Sequence, residues 1–259
     1  MNRRDFIQLS LTASALSLLP SLAGCASRIA GSHPHPKRGI GLSTKDSLWR
    51  QKLTASNAHW FYSWGPNLPE GTPREIEFVP MIFGKTTDAK LADVAAQFQK
   101  QKSRRLLGLN EPDQGSQGNV SVEAALALWP KLMALGLPLG SPACVHPDKE
   151  WMKAFMKGID ERSLRVDFVC VHSYGGPNAE ALMKRLEAVH ELYRRPIWIT
   201  EFAVGDWQAK TPAANRHSPE NVQAFMKELL PQLDACAFVE RYAWFPAHPT
   251  NAPLGSSAL

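Results

Sequence analysis

The sequence holds no CxxC pair and no HExxH motif, so no metal is expected. No glycine-rich loop follows the first apolar segment, which disfavours a nucleotide-binding, doubly wound sheet. Basic residues exceed acidic ones by 29 to 24, for a net charge of +5, but apart from short pairs such as Arg104-Arg105 and Arg194-Arg195 they are scattered. Without a basic stripe interleaved with aromatics, nucleic acid is not an expected partner. Cysteine is sparse, with four in 259 residues. Cys170 sits inside the apolar stretch Phe168-Val169-Cys170-Val171 and reads as a buried, inert thiol. One disulfide among Cys144, Cys170 and Cys236 stays open, because spacing does not decide it. The apolar, Ser/Ala-rich run over residues 9–19 is too short to span a bilayer as a stable anchor.

That run belongs to an export signal. Asn2-Arg3-Arg4-Asp5-Phe6-Ile7-Gln8 resembles a bacterial twin-arginine signal, although Arg-Arg also occurs in ordinary ones. Leu22-Ala23-Gly24-Cys25 resembles a lipobox, in which Cys25 is lipidated and becomes the mature N-terminus. The alternative is a plain secretory signal with an incidental cysteine. The expected organisation is a signal over residues 1–25, a Ser/His/Pro-rich tether over 26–37 and one domain over 38–259. The expected location is the cell envelope, lipid-anchored to the outer membrane or the periplasmic face. Ala26 after the cysteine favours the outer membrane in a Gram-negative cell.

What the sequence has in quantity is short segments rich in apolar residues. They fall near residues 38–42, 59–65, 77–84, 105–109, 137–143, 166–172, 196–202 and 239–245. Most alternate with helical patterns, over residues 47–55, 88–101, 122–135, 150–159, 179–193 and 218–230. Continuous apolar runs fit parallel strands buried on both faces. Eight of them alternating with helices predict an α/β fold, a compact (β/α)8 TIM barrel, and the length suits one such domain. The final helix is short or missing, because little sequence follows the eighth strand.

Two of these segments end on glutamate. Leu106-Leu107-Gly108-Leu109 leads to Asn110-Glu111-Pro112, and Pro196-Ile197-Trp198-Ile199-Thr200 leads to Glu201. In a barrel, the C-terminal ends of the strands carry the chemistry. Two carboxylates there, on strands facing each other across the mouth, are what a retaining glycosidase requires. One such glutamate alone would read as a solvated loop residue. Trp60, Tyr62 and Trp64 alternate and therefore share one face, and Trp64, nearest the C-terminal end, is placed best to reach a substrate.

Leu107-Gly108-Leu109-Asn110-Glu111-Pro112-Asp113, Phe78-Val79-Pro80-Met81, Ser141-Pro142-Ala143, Val171-His172-Ser173-Tyr174-Gly175, Ile197-Trp198-Ile199-Thr200-Glu201-Phe202-Ala203 and Arg241-Tyr242-Ala243-Trp244-Phe245 together resemble glycoside hydrolase family 128. This is the Asl1-like glycosyl hydrolase catalytic core, a compact β-1,3-glucanase barrel. The resemblance runs from Arg38 to Phe245 in the same order. It implies Glu111 as acid/base, Glu201 as nucleophile and Asn110 as the partner of a sugar 2-hydroxyl. Tyr174 would orient the nucleophile, His172 would line the site, and Trp244 would floor the subsite of the cleaved sugar. Core packing is the rival for Trp244, and a structural histidine is the rival for His172. The chain departs from the family at Ser173, where a Trp is usual, and after the eighth strand. Asp113 and Asp206 either line the cleft or are only solvated.

The expected activity is hydrolysis of a β-glucan, most simply an endo-β-1,3-glucanase working with retention, and it needs no cofactor. Its partner would be a polysaccharide or oligosaccharide substrate, and a monomer is expected. The alternatives are a glycosidase acting on another envelope, plant or fungal glycan, and a non-catalytic glycan-binding surface lipoprotein.

Overall fold

A computed structural model describes residues 35–259. The expected export signal, Cys25 and the tether as far as residue 34 lie outside the described residues. The last part of that tether belongs to the folded domain. The Lys37 ammonium donates to the carbonyls of Leu233 and Cys236 at 3.2 and 2.8 Å, and His35 lies 3.1 Å from Asp234.

Six strands form one wholly parallel sheet: β1 (Arg38–Gly41), β2 (Trp60–Tyr62), β3 (Glu77–Phe78), β4 (Val169–Gly175), β5 (Ile197–Val204) and β6 (Val239–Trp244). Their order is β3-β2-β1-β6-β5-β4. Two further segments link the edges. Met81 bridges to Leu107, Leu106 to Leu139, Asn110 to Ala143 and Gly140 to Phe168, all in parallel. The ring therefore has the eight positions of a (β/α)8 barrel. The fourth and fifth strands expected from the sequence are held by bridges rather than by ladders. Pro80, Pro138 and Pro142 have no N–H to give, so the pattern is broken where they fall. Pro80 and Pro138 contribute only as acceptors, from Leu107 and Leu106 at 2.9 Å each.

Among the described residues six α-helices alternate with these segments: α1 (Trp49–Ala55), α2 (Asp88–Gln101), α3 (Val122–Met133), α4 (Glu150–Glu161), α5 (Ala179–Tyr193) and α6 (Pro219–Ala235). Caps fix several of their starts. The Ser121 hydroxyl accepts from the Ala124 N–H, and Ser218 with Asn221 forms a reciprocal capping box ahead of Pro219. Beyond β6 the chain makes a 3₁₀ turn, Gly255–Ser257, rather than a helix. The Ser257 hydroxyl both accepts from and donates to the backbone of Val204, which ties the turn to β5. A cavity of about 70 Å³ lies between β1, β6 and α6, lined by Ile40, Phe202, Met226, Leu230, Trp244 and Leu259 among others, and neither glutamate borders it.

The barrel interior is filled by Trp60, Tyr62, Val79, Met81, Leu107, Phe168, Cys170 and Trp198, while a second apolar layer joins the sheet to the helices. Small residues make room for the rings. A Cβ on Gly39 would fall 2.3 Å from the Trp60 indole, so only glycine fits beside it. Below the rings the Arg241 guanidinium stacks over Trp198 and binds Glu77 at 2.7 Å, closing the floor of the barrel.

Candidate active site

The site is assembled from the C-terminal ends of β2, β4 and β5 and from the loop after residues 106–110. Along β4, alternation from Cys170 brings His172 and Tyr174 inward, and Ser173 takes the opposite parity. On β5 simple alternation would fail. Trp198 faces the interior, so Glu201, three residues on, would face out. The β4–β5 register shows the remedy: Val171 pairs with Ile199, but His172 pairs with Glu201. Thr200 is thus an extra residue, a β-bulge, and it turns Glu201 onto the face of His172. Glu201 also lies within the strand, which runs on to Val204, rather than at its end.

Glu201 is 5% exposed and receives three protein donors. The Tyr62 hydroxyl and the Trp64 indole N–H each donate to Oε1 at 2.8 Å, and the Tyr174 hydroxyl donates to Oε2. Burial first, and then the charge of Glu201, push both phenols well above their ordinary pKa, so both stay protonated donors. Every oxygen of the carboxylate is held in one orientation.

Glu111 comes from the opposite side of the mouth. Its backbone φ is +39°, a left-handed value that a non-glycine residue adopts only where its surroundings enforce it. Two anchors enforce it here. The Glu111 N–H donates to the Ala143 carbonyl at 2.8 Å. The Asp113 carboxylate accepts from the N–H groups of Val145 and His146 at 3.0 and 3.2 Å. Asp113 therefore braces the loop.

His172 joins the two glutamates. Nδ1 lies 3.0 Å from Glu111 Oε1 and Nε2 lies 3.5 Å from Glu201 Oε1. One carboxylate oxygen of each glutamate and one ring nitrogen of His172 fall within 4.8 Å of one another. Burial alone would lower the His172 pKa. The charge of Glu201, then the hydrogen bond to Glu111 and its charge, outweigh that and raise it. A raised folded pKa means the protonated ring adds stability that is complete below the unfolded value of about 6.5. That stability is lost as pH rises through the folded value. The Tm gap between wild type and His172→Asn should accordingly be widest near pH 6 and shrink toward pH 9. A gap constant across that range would contradict the assignment. Among the described residues the trio is also the group whose ligand atoms could meet at a metal ion, but the Glu201 oxygens would first have to give up their three donors.

Asn110 is 3% exposed, and its buried side-chain oxygen has no hydrogen-bond partner among the described residues. Trp244 does not join the site. It faces the helix layer, where its indole donates to the Ser257 carbonyl and its ring meets Phe202 edge-on. The next residue, Phe245, takes the inward side and contacts Trp64 and Tyr174 at ring distances of 5.8 and 5.5 Å. Asp206 does not line the cleft either. It is 2% exposed and clamped by Arg216, whose side-chain and backbone hydrogen bonds hold its carboxyl well below the usual range. Tyr62 was legible only as one of three alternating aromatics; its hydroxyl proves to be a direct partner of Glu201.

Comparison with known proteins agrees with this geometry. A family model described as glycosyl hydrolase catalytic core matches residues 39–257. The chain is 36% identical to a family 128, subgroup I endo-β-1,3-glucanase from Amycolatopsis mediterranei, solved with laminaritriose. The match covers 85% of this chain and 96% of that one, with a TM-score of 0.73. Variants of that enzyme with one or the other of two glutamates replaced have been solved with laminari-oligosaccharides. A curdlan-specific exo-β-1,3-glucanase of the same family from Blastomyces gilchristii is 30% identical, over 82% of this chain and 90% of that one, with a TM-score of 0.68. Alkali-sensitive linkage protein 1 of Schizosaccharomyces pombe is 28% identical over 232 residues, which are 85% of this chain. The chain spans 41% of the length of that relative.

Proposed function

Since the chain belongs to the glycosyl hydrolase catalytic core family and to glycoside hydrolase family 128, we propose that it hydrolyses β-1,3-glucan with retention, using Glu201 as nucleophile and Glu111 as acid/base. The observation that carries this reading is the pair of glutamates at the barrel mouth, one carboxylate oxygen of each lying within 4.8 Å of the other around His172. Retaining glycosidases hold their carboxyl groups about 5–5.5 Å apart, whereas inverting ones need about 6.5–9.5 Å to admit a water.

In the first step a Glu201 oxygen attacks the anomeric carbon. The bond to the leaving oxygen breaks, and Glu111 gives that oxygen its proton. In the second step Glu111 takes a proton from water, the hydroxide attacks the same carbon, and Glu201 leaves as a carboxylate. Tyr62, Trp64 and Tyr174 aim the attacking oxygen and demand no reorganisation as charge shifts. The unpaired Asn110 oxygen suits the sugar 2-hydroxyl, a contact that strengthens in the transition state.

Reducing-sugar release from a linear β-1,3-glucan tests the substrate. Turnover on this polymer, and little on β-1,4-linked glucan, is expected. A folded protein that cleaves neither would move the reading to another glycan. Similarity to both an endo- and an exo-acting enzyme accompanies this reading, and a ladder of intermediate oligosaccharides early in the digest is expected for endo action.

Export and a lipid anchor at Cys25 are part of the proposal and rest on sequence alone. Radiolabelled palmitate should enter the full chain in bacterial cells and fail to enter Cys25→Ser. Equal labelling of the two would remove the anchor from the account.

A further inference from the structure

The exposed large apolar side chains among the described residues are not spread evenly. Leu48, Leu68, Phe83 and Trp207 sit on loops that follow β1, β2, β3 and β5, the loops of the barrel mouth, while Leu192 lies on α5 and Leu259 at the last position. Trp207 stands out, because it is 61% exposed and yet held firmly. Its indole N–H donates to the Tyr174 carbonyl at 2.8 Å, and its ring meets the Tyr174 ring edge-on at 6.2 Å. The residue before it, Asp206, is fixed by the Arg216 side chain at 2.8 and 2.9 Å and donates its own N–H to the Pro253 carbonyl. An exposed indole gains little from such bracing if its role is only to cover surface, since burial is what stabilises an apolar ring.

We infer that Trp207 is a stacking platform for a glucosyl unit next to the cleaved one, and so a determinant of preference for longer chains. This rests on the glucanase reading above. A β-glucopyranose carries its hydroxyls equatorially and offers axial C–H bonds on each face, which suits an aromatic plane. Tyr174 binds both Trp207 and the Glu201 carboxylate, so the platform stands one side chain away from the nucleophile. The tether of its N–H to a backbone carbonyl leaves the ring faces, rather than its polar edge, to meet the sugar. It also sets the ring in place before substrate arrives, which lowers the ordering cost of binding.

The test measures kcat and KM for wild type, Trp207→Ala and Trp207→Phe on a β-1,3-linked glucose hexamer and on an activated aryl β-glucoside, an aryl glycoside that carries the cleaved unit and no neighbouring sugar. In Trp207→Ala the kcat/KM loss on the hexamer should exceed that on the aryl glycoside by about tenfold, mostly through KM. Trp207→Phe, which keeps a ring, should recover most of it. Equal losses on both substrates, carried by kcat, would show that Trp207 only positions Tyr174, and would overturn the inference. Unchanged kinetics in both variants would also overturn it. Wild type inactive on the hexamer would instead overturn the glucanase reading, and this inference with it.

Discussion

Glu201→Gln is expected to fold as the wild type does and to lose roughly 10⁴-fold or more in kcat on β-1,3-glucan. The two parts of that result have separate causes. The carboxamide is not a nucleophile toward the anomeric carbon, so the covalent route is closed. The fold survives because the local hydrogen bonds can be remade in one orientation. Trp64 can only donate, so the amide oxygen must take its place facing Trp64 and Tyr62, and the amide N–H₂ then faces Tyr174. A hydroxyl can turn and accept, so Tyr174 adapts. A folded Glu201→Gln with more than a few per cent of wild-type kcat would remove the nucleophile from this residue. Loss of the fold, read by circular dichroism and Tm, would show instead that the carboxylate is structural.

Glu111→Gln is expected to behave differently, and the difference identifies the role. On glucan the loss should be about 10²–10⁴-fold, the usual contribution of general acid–base catalysis. On an aryl β-glycoside whose leaving group departs without protonation, the first step should be nearly normal. Turnover then stalls at the glycosyl-enzyme, because no base activates water. Added azide needs no base and should restore turnover, giving a β-glycosyl azide. Glu201→Gln should show no such recovery. If azide yields the α-azide, or rescues Glu201→Gln and not Glu111→Gln, the two roles are exchanged. The positive φ of Glu111 is unaffected by the change to Gln, so the loop remains a fair control.

The sequence reached the fold through its punctuation and its apolar runs. The periodicity of 88–101 predicts a helix that matches α2 to the residue, and the helix expected over 179–193 matches α5 likewise. The run after Pro196 was read as a doubly buried strand, and every residue of β5 is buried. The same reading overestimated the fourth and fifth strands, since apolar content does not report which N–H groups are missing beside prolines. It ended the sixth helix at residue 230, whereas α6 continues through Pro231 to Ala235.

The glutamates were legible because each follows an apolar run, but their meeting was not. It depends on one extra residue, Thr200, that inverts the parity of β5, and on a left-handed φ at Glu111. Neither leaves a trace in hydrophobic pattern. The error at Trp244 has the same origin, a one-residue question of parity. Phe245 faces inward while Trp244 packs on Phe202, and nothing in the order of those two residues says which strand face is the mouth. Trp207 carried no signal in the sequence, being one of eight tryptophans, and acquires its place only through the Asp206–Arg216 clamp.

The central claim is that Glu201 becomes bonded to the sugar. A 2-fluoro-substituted β-1,3-linked disaccharide with an activated anomeric leaving group slows the second step and lets that adduct accumulate. Peptide mapping by mass spectrometry should then find the fluorinated disaccharide on Glu201, in the peptide that carries Ile199-Thr200-Glu201-Phe202, and in no peptide of Glu111→Gln other than that one. An adduct on Glu111, or products released with inverted anomeric configuration and no adduct at all, would contradict the account.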